Sequence, residues 1–233
     1  MSSQPLHVLA LDTSTEACTV ALQCGSDIDE MFRIIPRAHN QQILPMLQAI
    51  IARAELQLQD LDLFVVGRGP GSFTGLRIAT GVVQGLAFGL DKPVVQVSTL
   101  ACLAQGQYRT GGQRQIMVAL HARQEEIYWG CFEVADGTAC AVGKEDVLHC
   151  RDLKLPKQGD WFGVGNGWRH RDLIEKAIGV EVEGVELDAY PVGRDLLVLG
   201  IRDHLQGRSV AAEAVRPVYL REKVTGTPDG STR

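Results

Sequence analysis

The sequence lacks the features that mark secreted, membrane-spanning and metal-binding proteins. The first residues, Met1 to Pro5, contain no basic start followed by an apolar stretch, so no signal peptide is predicted. The most apolar long segment, Ile78 to Leu90, is interrupted by Gln84 and is too short to span a bilayer. The six cysteines form no Cys-x-x-Cys pair and have no nearby histidine at a zinc-type spacing. The sequence therefore predicts a cytoplasmic protein with reduced, buried cysteines, no metal site and no membrane contact.

Positive charge is also scarce. The chain of 233 residues has 23 Lys and Arg against 28 Asp and Glu, which gives a net charge of -5. Because proteins grip a phosphate backbone through clustered Lys and Arg, a stand-alone RNA-binding module fits this composition poorly. If nucleic acid is involved, we expect another subunit to supply the positive surface. The length and the 45% of hydrophobic residues suffice for one large domain or two small ones.

Hydrophobic periodicity predicts an α/β fold. The first part of the chain fits one α/β unit with a mixed sheet. Its patterns follow in the order of a strand meander, a helical stripe from about His39 to Leu56, a strand, an apolar helix and another strand. Strand and helix patterns follow again after a polar, glycine-containing stretch that begins at Tyr108. We therefore predict two related lobes, 1–107 and 108–221, and a disordered tail, 222–233. The C-terminal helix, 195–205, either belongs to the second lobe or returns to the first.

The first candidate for chemistry is the turn Asp12-Thr13-Ser14-Thr15 after the first strand. Amides and hydroxyls in such a turn can cradle a phosphate, and the carboxylate can orient a magnesium ion through water. The alternative is a turn whose side chains cap their own backbone, and the spacing alone favours that alternative.

The second candidate is the glycine-rich run from Gly67 to Gly75, which leads into a helix. Glycines allow close backbone approach, and a helix start attracts anions, so Gly69, Gly71 and Ser72 are candidate cleft residues. The run matches neither the P-loop nor the dinucleotide fingerprint, and a tight packing loop is an equally good interpretation. No partner base for Ser72 and no Gly-x-Ser-x-Gly elbow is recognisable, so no catalytic residue is predicted.

The third candidate is the helix itself, in which Gly81, Gly85 and Gly89 are spaced four residues apart. Each glycine inside a helix costs about 1 kcal/mol relative to alanine, so a compensating contact is expected. The strip of bare backbone either approaches a partner closely or packs against the chain's own sheet.

At this point the sequence resembles a known family. The segments 9–18, 39–45 and 67–77, which read LALDTSTEAC, HNQQILP and GRGPGSFTGLR, resemble the bacterial TsaB (YeaZ) family. Further matches at 97–100, 126–129 and 217–221 extend the resemblance over nearly the whole chain. One departure is His121-Ala122-Arg123, where many relatives carry Asp-Ala-Arg.

The resemblance implies an actin-like ATPase fold of the ASKHA (Hsp70 and sugar-kinase) type, with two lobes that flank a nucleotide cleft. It also implies a part in adding threonylcarbamoyl to the adenosine next to the anticodon of tRNAs that read ANN codons. In that scheme TsaC makes threonylcarbamoyl-adenylate, TsaD transfers the group, and TsaB is the dimer partner of TsaD and helps dock TsaE. The chain would require no cofactor alone, because ATP or ADP and a divalent metal belong to the assembled complex.

The residues support a catalytically silent role. The metal site of TsaD uses His-x-x-x-His, whereas His39 is followed at that distance by Ile43, which cannot bind a metal. The alternative is an autonomous ATP-dependent or peptidase-like enzyme. Two helices, the glycine-striped helix and the helix from Gln41 to Leu56, would form the contact with TsaD, or with a second copy when TsaD is absent. The chain would meet tRNA only through the complex. The predicted interface residues are Ile43, Leu47, Ile50, Ile78, Gly81, Val82, Gly85, Leu86 and Gly89.

Overall fold

The computed structural model describes residues 6–220 and contains two mixed β-sheets, each with its own apolar core. The predicted disordered tail, 222–233, lies outside the described residues.

The first sheet has the strand order β3-β2-β1-β4-β5. Its strands are β1 (His7–Asp12), β2 (Ala17–Cys24), β3 (Asp27–Ile34), β4 (Leu63–Gly69) and β5 (Val94–Ser98). The first three form an antiparallel meander, while β4 and β5 run parallel to β1. Because side chains alternate along a strand, β1 supplies both faces of the sheet. Leu9 and Leu11 pack beneath α1 (His39–Arg53) and α2 (Phe73–Leu90), and Val8 and Ala10 pack on the opposite face.

The second sheet repeats this plan in the order β11-β10-β6-β7-β8, with β9 also paired to β7. Its strands are β6 (Gln115–Arg123), β7 (Glu126–Ala135), β8 (Thr138–Ala141), β9 (Asp146–His149), β10 (Phe162–Val164) and β11 (Val185–Glu186), and α4 (Arg171–Ile178) lies between the last two. An antiparallel hairpin is again followed by two parallel strands. The prediction of two related lobes, each with a mixed sheet flanked by helices, is confirmed.

Two helices join the lobes by packing across them. The helix α3 (Thr99–Gly111) follows the last strand of the first sheet but contributes Leu100 and Leu103 to the core of the second. The helix α5 (Gly193–Leu205) follows the second sheet but packs on the first through its leucines. The first lobe is thus built from two separate stretches of chain, and the predicted boundary at residue 108 falls inside α3.

The apolar helix α2 has one further property. Within residues 6–220 it is the one helix whose length and mean hydropathy, 1.2, would allow it to cross a membrane. A third of it (33%) is buried, and Ala79, Val83 and Ala87 belong to the core of the first lobe. Length and composition do not separate a spanning helix from a core helix whose outer face is also apolar.

The cysteines only partly match the prediction that all are buried. Cys18, Cys102, Cys131 and Cys150 are buried, Cys24 is half-buried, and burial raises the pKa of the Cys18 and Cys131 thiols to about 12. Such thiols are inert because the thiolate is the reactive form. Cys140 is exposed, since it lies on β8, where successive side chains alternate between core and solvent.

Candidate functional site

A cleft of about 510 Å³ lies between the two lobes. From the first lobe it is lined by the end of the β1–β2 turn, the start of α1 and the glycine-rich loop; from the second it is lined by the end of β6 and the turn after β10. The lining residues are Ser14, Thr15, Glu16, Pro36, Arg37, His39, Gly71, Ser72, Leu120, His121, Ala122, Tyr128 and Asn166.

The carboxylate of Asp12 does not reach this cleft. Asp12 is 1% exposed, and its Oδ1 accepts hydrogen bonds from the backbone N–H and the hydroxyl of Ser14, both at 2.7 Å. Its Oδ2 is buried without a partner and points at the backbone of Gly67, where an added Cβ would stand 1.6 Å away. Burial raises the pKa of Asp12 to about 6, against the opposing effect of the two Ser14 hydrogen bonds. A carboxylate in this position serves the turn and is shielded from a ligand in the cleft.

The glycine-rich loop packs directly on that turn. An added Cβ at Gly71 would lie 2.3 Å from the carbonyl oxygen of Ser14, and one at Gly75 would lie 1.8 Å from the carbonyl oxygen of Thr13. The backbone N–H of Ser72 donates to the Ser14 carbonyl at 2.7 Å, and the Thr13 hydroxyl donates to the Gly75 carbonyl at 2.6 Å. These contacts favour the tight-packing interpretation of the loop, since the chain itself fills the space that its glycines open.

The structure therefore divides the seven predicted cleft residues. Ser14, Thr15, Gly71 and Ser72 line the cleft. Asp12, Thr13 and Gly69 do not line it, and the hypothesis that they face a ligand is corrected. The Asp12 carboxylate faces Gly67, the Thr13 hydroxyl is bonded to the Gly75 carbonyl, and Gly69 faces Leu76 and the carbonyl of Val218. The arrangement does not fit a magnesium nucleotide oriented by Asp12, since the free carboxylate oxygen is buried against Gly67 of β4 and Asp12 does not line the cleft.

The opposite wall of the cleft repeats the same packing in the second lobe. After β10 the chain turns through Gly165-Asn166-Gly167, and an added Cβ at Gly165 would lie 2.4 Å from the carbonyl oxygen of Ala119 on β6. The Asn166 side chain accepts a hydrogen bond of 2.7 Å from the backbone N–H of His121. The residues that sequence reasoning missed here are Asn166 and Tyr128. A glycine turn directly after a strand, as in the first lobe, was the signal that could have found Asn166.

His39 lines the cleft at the start of α1 but is only 8% exposed, and its Nε2 is buried without a hydrogen-bond partner. Ile43, one turn later, is 1% exposed and belongs to the core. Over residues 6–220 no group of three or more His, Cys, Asp or Glu side chains is placed to hold a metal ion.

A second candidate site is the outer face of α2. Added Cβ atoms at Gly81, Gly85 and Gly89 would meet nothing within 4 Å, so the bare strip of backbone faces open space and not the chain's own sheet. Ile78, Val82 and Leu86 are half-buried beside it. Two large aromatic side chains, Phe73 and Phe88, are exposed at the two ends of the helix.

The three interface residues predicted on α1 require a correction. Ile43, Leu47 and Ile50 are at most 2% exposed and pack in the core of the first lobe. They form the single apolar stripe of an amphipathic helix, and that stripe covers the sheet. On this helix Leu44 is the large apolar side chain that is exposed.

Comparison with known proteins places the chain in a family. The model of the TsaD family, described as tRNA N6-adenosine threonylcarbamoyltransferase, matches residues 33–180. The tRNA threonylcarbamoyladenosine biosynthesis protein TsaB of Escherichia coli is 38% identical, over 94% of this chain and 96% of that protein. The TsaB of Haemophilus influenzae is 35% identical, over 95% and 96%.

A solved structure agrees with these relatives. YeaZ from Pseudomonas aeruginosa is 42% identical with a TM-score of 0.88, over 92% of this chain and all (100%) of that one. A second structure, described as an uncharacterized protein with similarity to peptidase YeaZ from the same organism, matches equally well. Together with the repeated sheet order, these matches confirm the predicted actin-like fold. The chain belongs to the TsaB (YeaZ) family.

Proposed function

We propose that this chain acts in tRNA threonylcarbamoyladenosine biosynthesis as a non-catalytic subunit. It pairs with TsaD, activates it, and helps dock TsaE on the resulting dimer. It meets tRNA only as part of that complex and forms a homodimer when TsaD is absent. The protein works in the cytoplasm and needs no cofactor of its own, while ATP or ADP and a divalent metal belong to the assembled complex.

The observation that carries this proposal is the outward-facing glycine strip of α2. Three helical glycines destabilise α2 by about 1 kcal/mol each relative to alanine, and nothing in the described fold packs closely enough to require them. A partner helix that approaches the bare backbone provides the missing compensation. Phe73 and Phe88, which are 54% and 66% exposed, extend the same apolar surface, as expected of a protein interface.

The polar groups near the cleft support a silent role. The Ser72 hydroxyl accepts a hydrogen bond from the backbone N–H of Gly75 and so caps α2. Asp12 faces the backbone of β4 and Ile43 is in the core. Ser72, Asp12 and Ile43 are the positions where a nucleophile, a catalytic carboxylate and a second metal ligand would be expected. At each of them the side chain stabilises the fold.

The pairing is tested by mixing the purified chain with TsaD from the same organism and measuring the molar mass by gel filtration with light scattering. We expect a one-to-one complex that replaces the homodimer of the isolated chain. Separate elution of the two proteins at micromolar concentration would contradict the proposal, as would ATP or peptide hydrolysis by the chain alone.

A further inference from the structure

A polar notch of about 410 Å³ adjoins the glycine strip of α2. One wall is the first half of α2, and the other is the chain segment that follows the short helical turn Ala212–Ala214. Its lining residues are Arg77, Thr80, Gly81, Gln84, Val215, Arg216, Pro217 and Tyr219. Gly81 belongs to both the notch and the strip, so one docking partner would cover both.

Aromatic neighbours hold the guanidinium group of Arg77 in place. It lies 3.9 Å above the centre of the Phe73 ring, and its Nε donates to the Tyr219 hydroxyl at 3.4 Å. The Phe73 and Tyr219 rings are 5.3 Å apart. Stacking of this kind leaves the edge of the guanidinium, with its remaining donors, free to bind a planar anion.

The second guanidinium, that of Arg216, is anchored by carbonyl groups. Its Nη1 donates to the carbonyl oxygens of Glu213 and Val215. The side-chain amide of Gln84 donates to the same Val215 carbonyl at 3.1 Å and so ties the segment to α2. Both arginines are therefore positioned before any partner arrives.

Neither positive charge is compensated within the described chain. Most ion pairs between residues 6 and 220 involve arginine, yet Arg77 and Arg216 take part in none of them. Thr80 lines the notch, is 6% exposed, and its hydroxyl has no hydrogen-bond partner. The notch is thus lined by two guanidinium groups without an ion-pair partner and by one hydroxyl without a hydrogen-bond partner. The net charge of the whole protein is -5.

A protein that covers α2 removes water from both guanidinium groups. Burying an unpaired charge is costly, so a stable contact here requires an opposite charge from the other side. We infer that the notch of Arg77 and Arg216 receives an acidic side chain of the protein that docks on α2. The inference rests on the proposed function and adds to it an electrostatic anchor that selects the partner.

A protein carboxylate fits this position better than a phosphate does. The surface beside the notch is the apolar face of α2, with the exposed aromatic rings of Phe73 and Tyr219. Exposed Phe, Tyr and Arg together are typical of protein interfaces, where they form the residues that carry most of the binding energy.

The test measures the dissociation constant for TsaD by calorimetry, in buffer free of nucleotide and RNA. We compare wild type with Arg77→Gln, Arg216→Gln and Arg77→Glu, and use Arg169→Gln as the matched control. Arg169 is exposed on the second lobe and takes no part in an ion pair of the described residues. Because all three arginines are exposed, melting curves of the isolated variants should superimpose on that of wild type.

The expected result is a rise in the dissociation constant of about 30-fold or more for each Arg→Gln variant, as for the loss of one partner of a buried charge pair. The Arg77→Glu variant should bind TsaD more weakly than Arg77→Gln does. The dissociation constant of the control should stay within about twofold of the wild-type value. Equal binding by all variants would overturn the inference alone. A loss seen only when nucleotide or tRNA is added would also overturn it, because the anion would then be a phosphate. Failure of wild type to bind TsaD would overturn the proposed function together with the inference.

Discussion

The buried carboxylate of Asp12 lies against the backbone of Gly67, so closely that a Cβ atom at residue 67 would stand 1.6 Å from Oδ2. The end of β1 and the middle of β4 are adjacent in the sheet, and this contact fills the space between them. The carboxylate that resembles a catalytic group is therefore part of the packing of the first lobe.

Replacing Gly67 with alanine should destabilise the protein by about 1 to 3 kcal/mol, because the strand backbone or the buried carboxylate must move. Gly81→Ala is the matched control. That site is open, so alanine should stabilise the isolated chain by about 0.5 to 1 kcal/mol through its higher helix propensity. Urea unfolding measures both values, and equal stability of the two variants would contradict the Asp12 contact.

Asp12 should also give the stability a distinctive pH dependence. Burial raises its pKa from 3.8 to about 6, so between these pH values the folded protein holds a proton that the unfolded chain has lost. The Asp12 contribution to the free energy of unfolding is therefore most favourable below pH 3.8, falls as the pH rises to about 6, and stays unfavourable above it.

The variant Asp12→Asn keeps an acceptor for Ser14 and removes this titration. The stability of wild type minus that of the variant should fall by up to about 3 kcal/mol across the window, since one pKa unit corresponds to about 1.4 kcal/mol. Urea unfolding at several pH values checks this, and a constant difference would show that Asp12 titrates normally.

An ion pair with a buried carboxylate links the two helices that join the lobes. Arg109 on α3 donates two hydrogen bonds of 2.8 Å to Asp195 on α5, whose carboxylate is 1% exposed. Burial raises the pKa of Asp195, and Arg109 opposes that shift. Arg109→Met should cost about 2 to 3 kcal/mol, because it leaves a buried carboxylate unpaired.

Adding Asp195→Asn to Arg109→Met should restore part of that loss, since the unpaired charge is then gone. Thermal melts of the single and double variants measure the coupling. If the stability losses of the two single variants add up to that of the double variant, the interaction between Arg109 and Asp195 does not contribute to stability.

The outer face of α2 can be tested without disturbing the core. Gly85→Leu places bulk where an added Cβ meets nothing within 4 Å, so the isolated chain should keep its fold and be no less stable than wild type, since leucine also has the higher helix propensity. The same bulk should block a close helix contact and abolish association with TsaD in gel filtration. Retained association would rule out this face as the interface.

The sequence predicts the elements well where a local rule decides them. Serine is a favoured N-cap residue, and the Ser98 hydroxyl accepts hydrogen bonds from the N–H groups of Leu100 and Ala101 at the start of α3. The Asp-Gly pair is a strong signal for a two-residue hairpin turn, and Asp136 and Gly137 both have the positive φ of such a turn. The helix that was expected to follow the glycine-rich run overlaps its last residues and begins at Phe73, because Ser72 is its cap.

What the sequence could not supply is the direction in which a side chain points in three dimensions. The stripe of Ile43, Leu47 and Ile50 shows an apolar helix face, but a stripe alone does not tell whether a sheet or a partner covers it. An aspartate at the end of a strand, such as Asp12, gives the same sequence pattern whether its carboxylate faces a cleft or a neighbouring strand. On α2 the apolar residues surround most of the helix, so one face remained for a partner after the sheet had covered the other.

The measurement that tests the account most directly is reconstituted threonylcarbamoyl transfer with TsaC, TsaD and TsaE from the same organism, with and without this chain. Modified adenosine is scored by mass spectrometry of digested tRNA. We predict that modification requires the chain, persists with Asp12→Asn, and is lost with Gly85→Leu. Equal modification without the chain would contradict the proposed role. Loss of modification in a folded Asp12→Asn variant would contradict the proposal that the chain is non-catalytic.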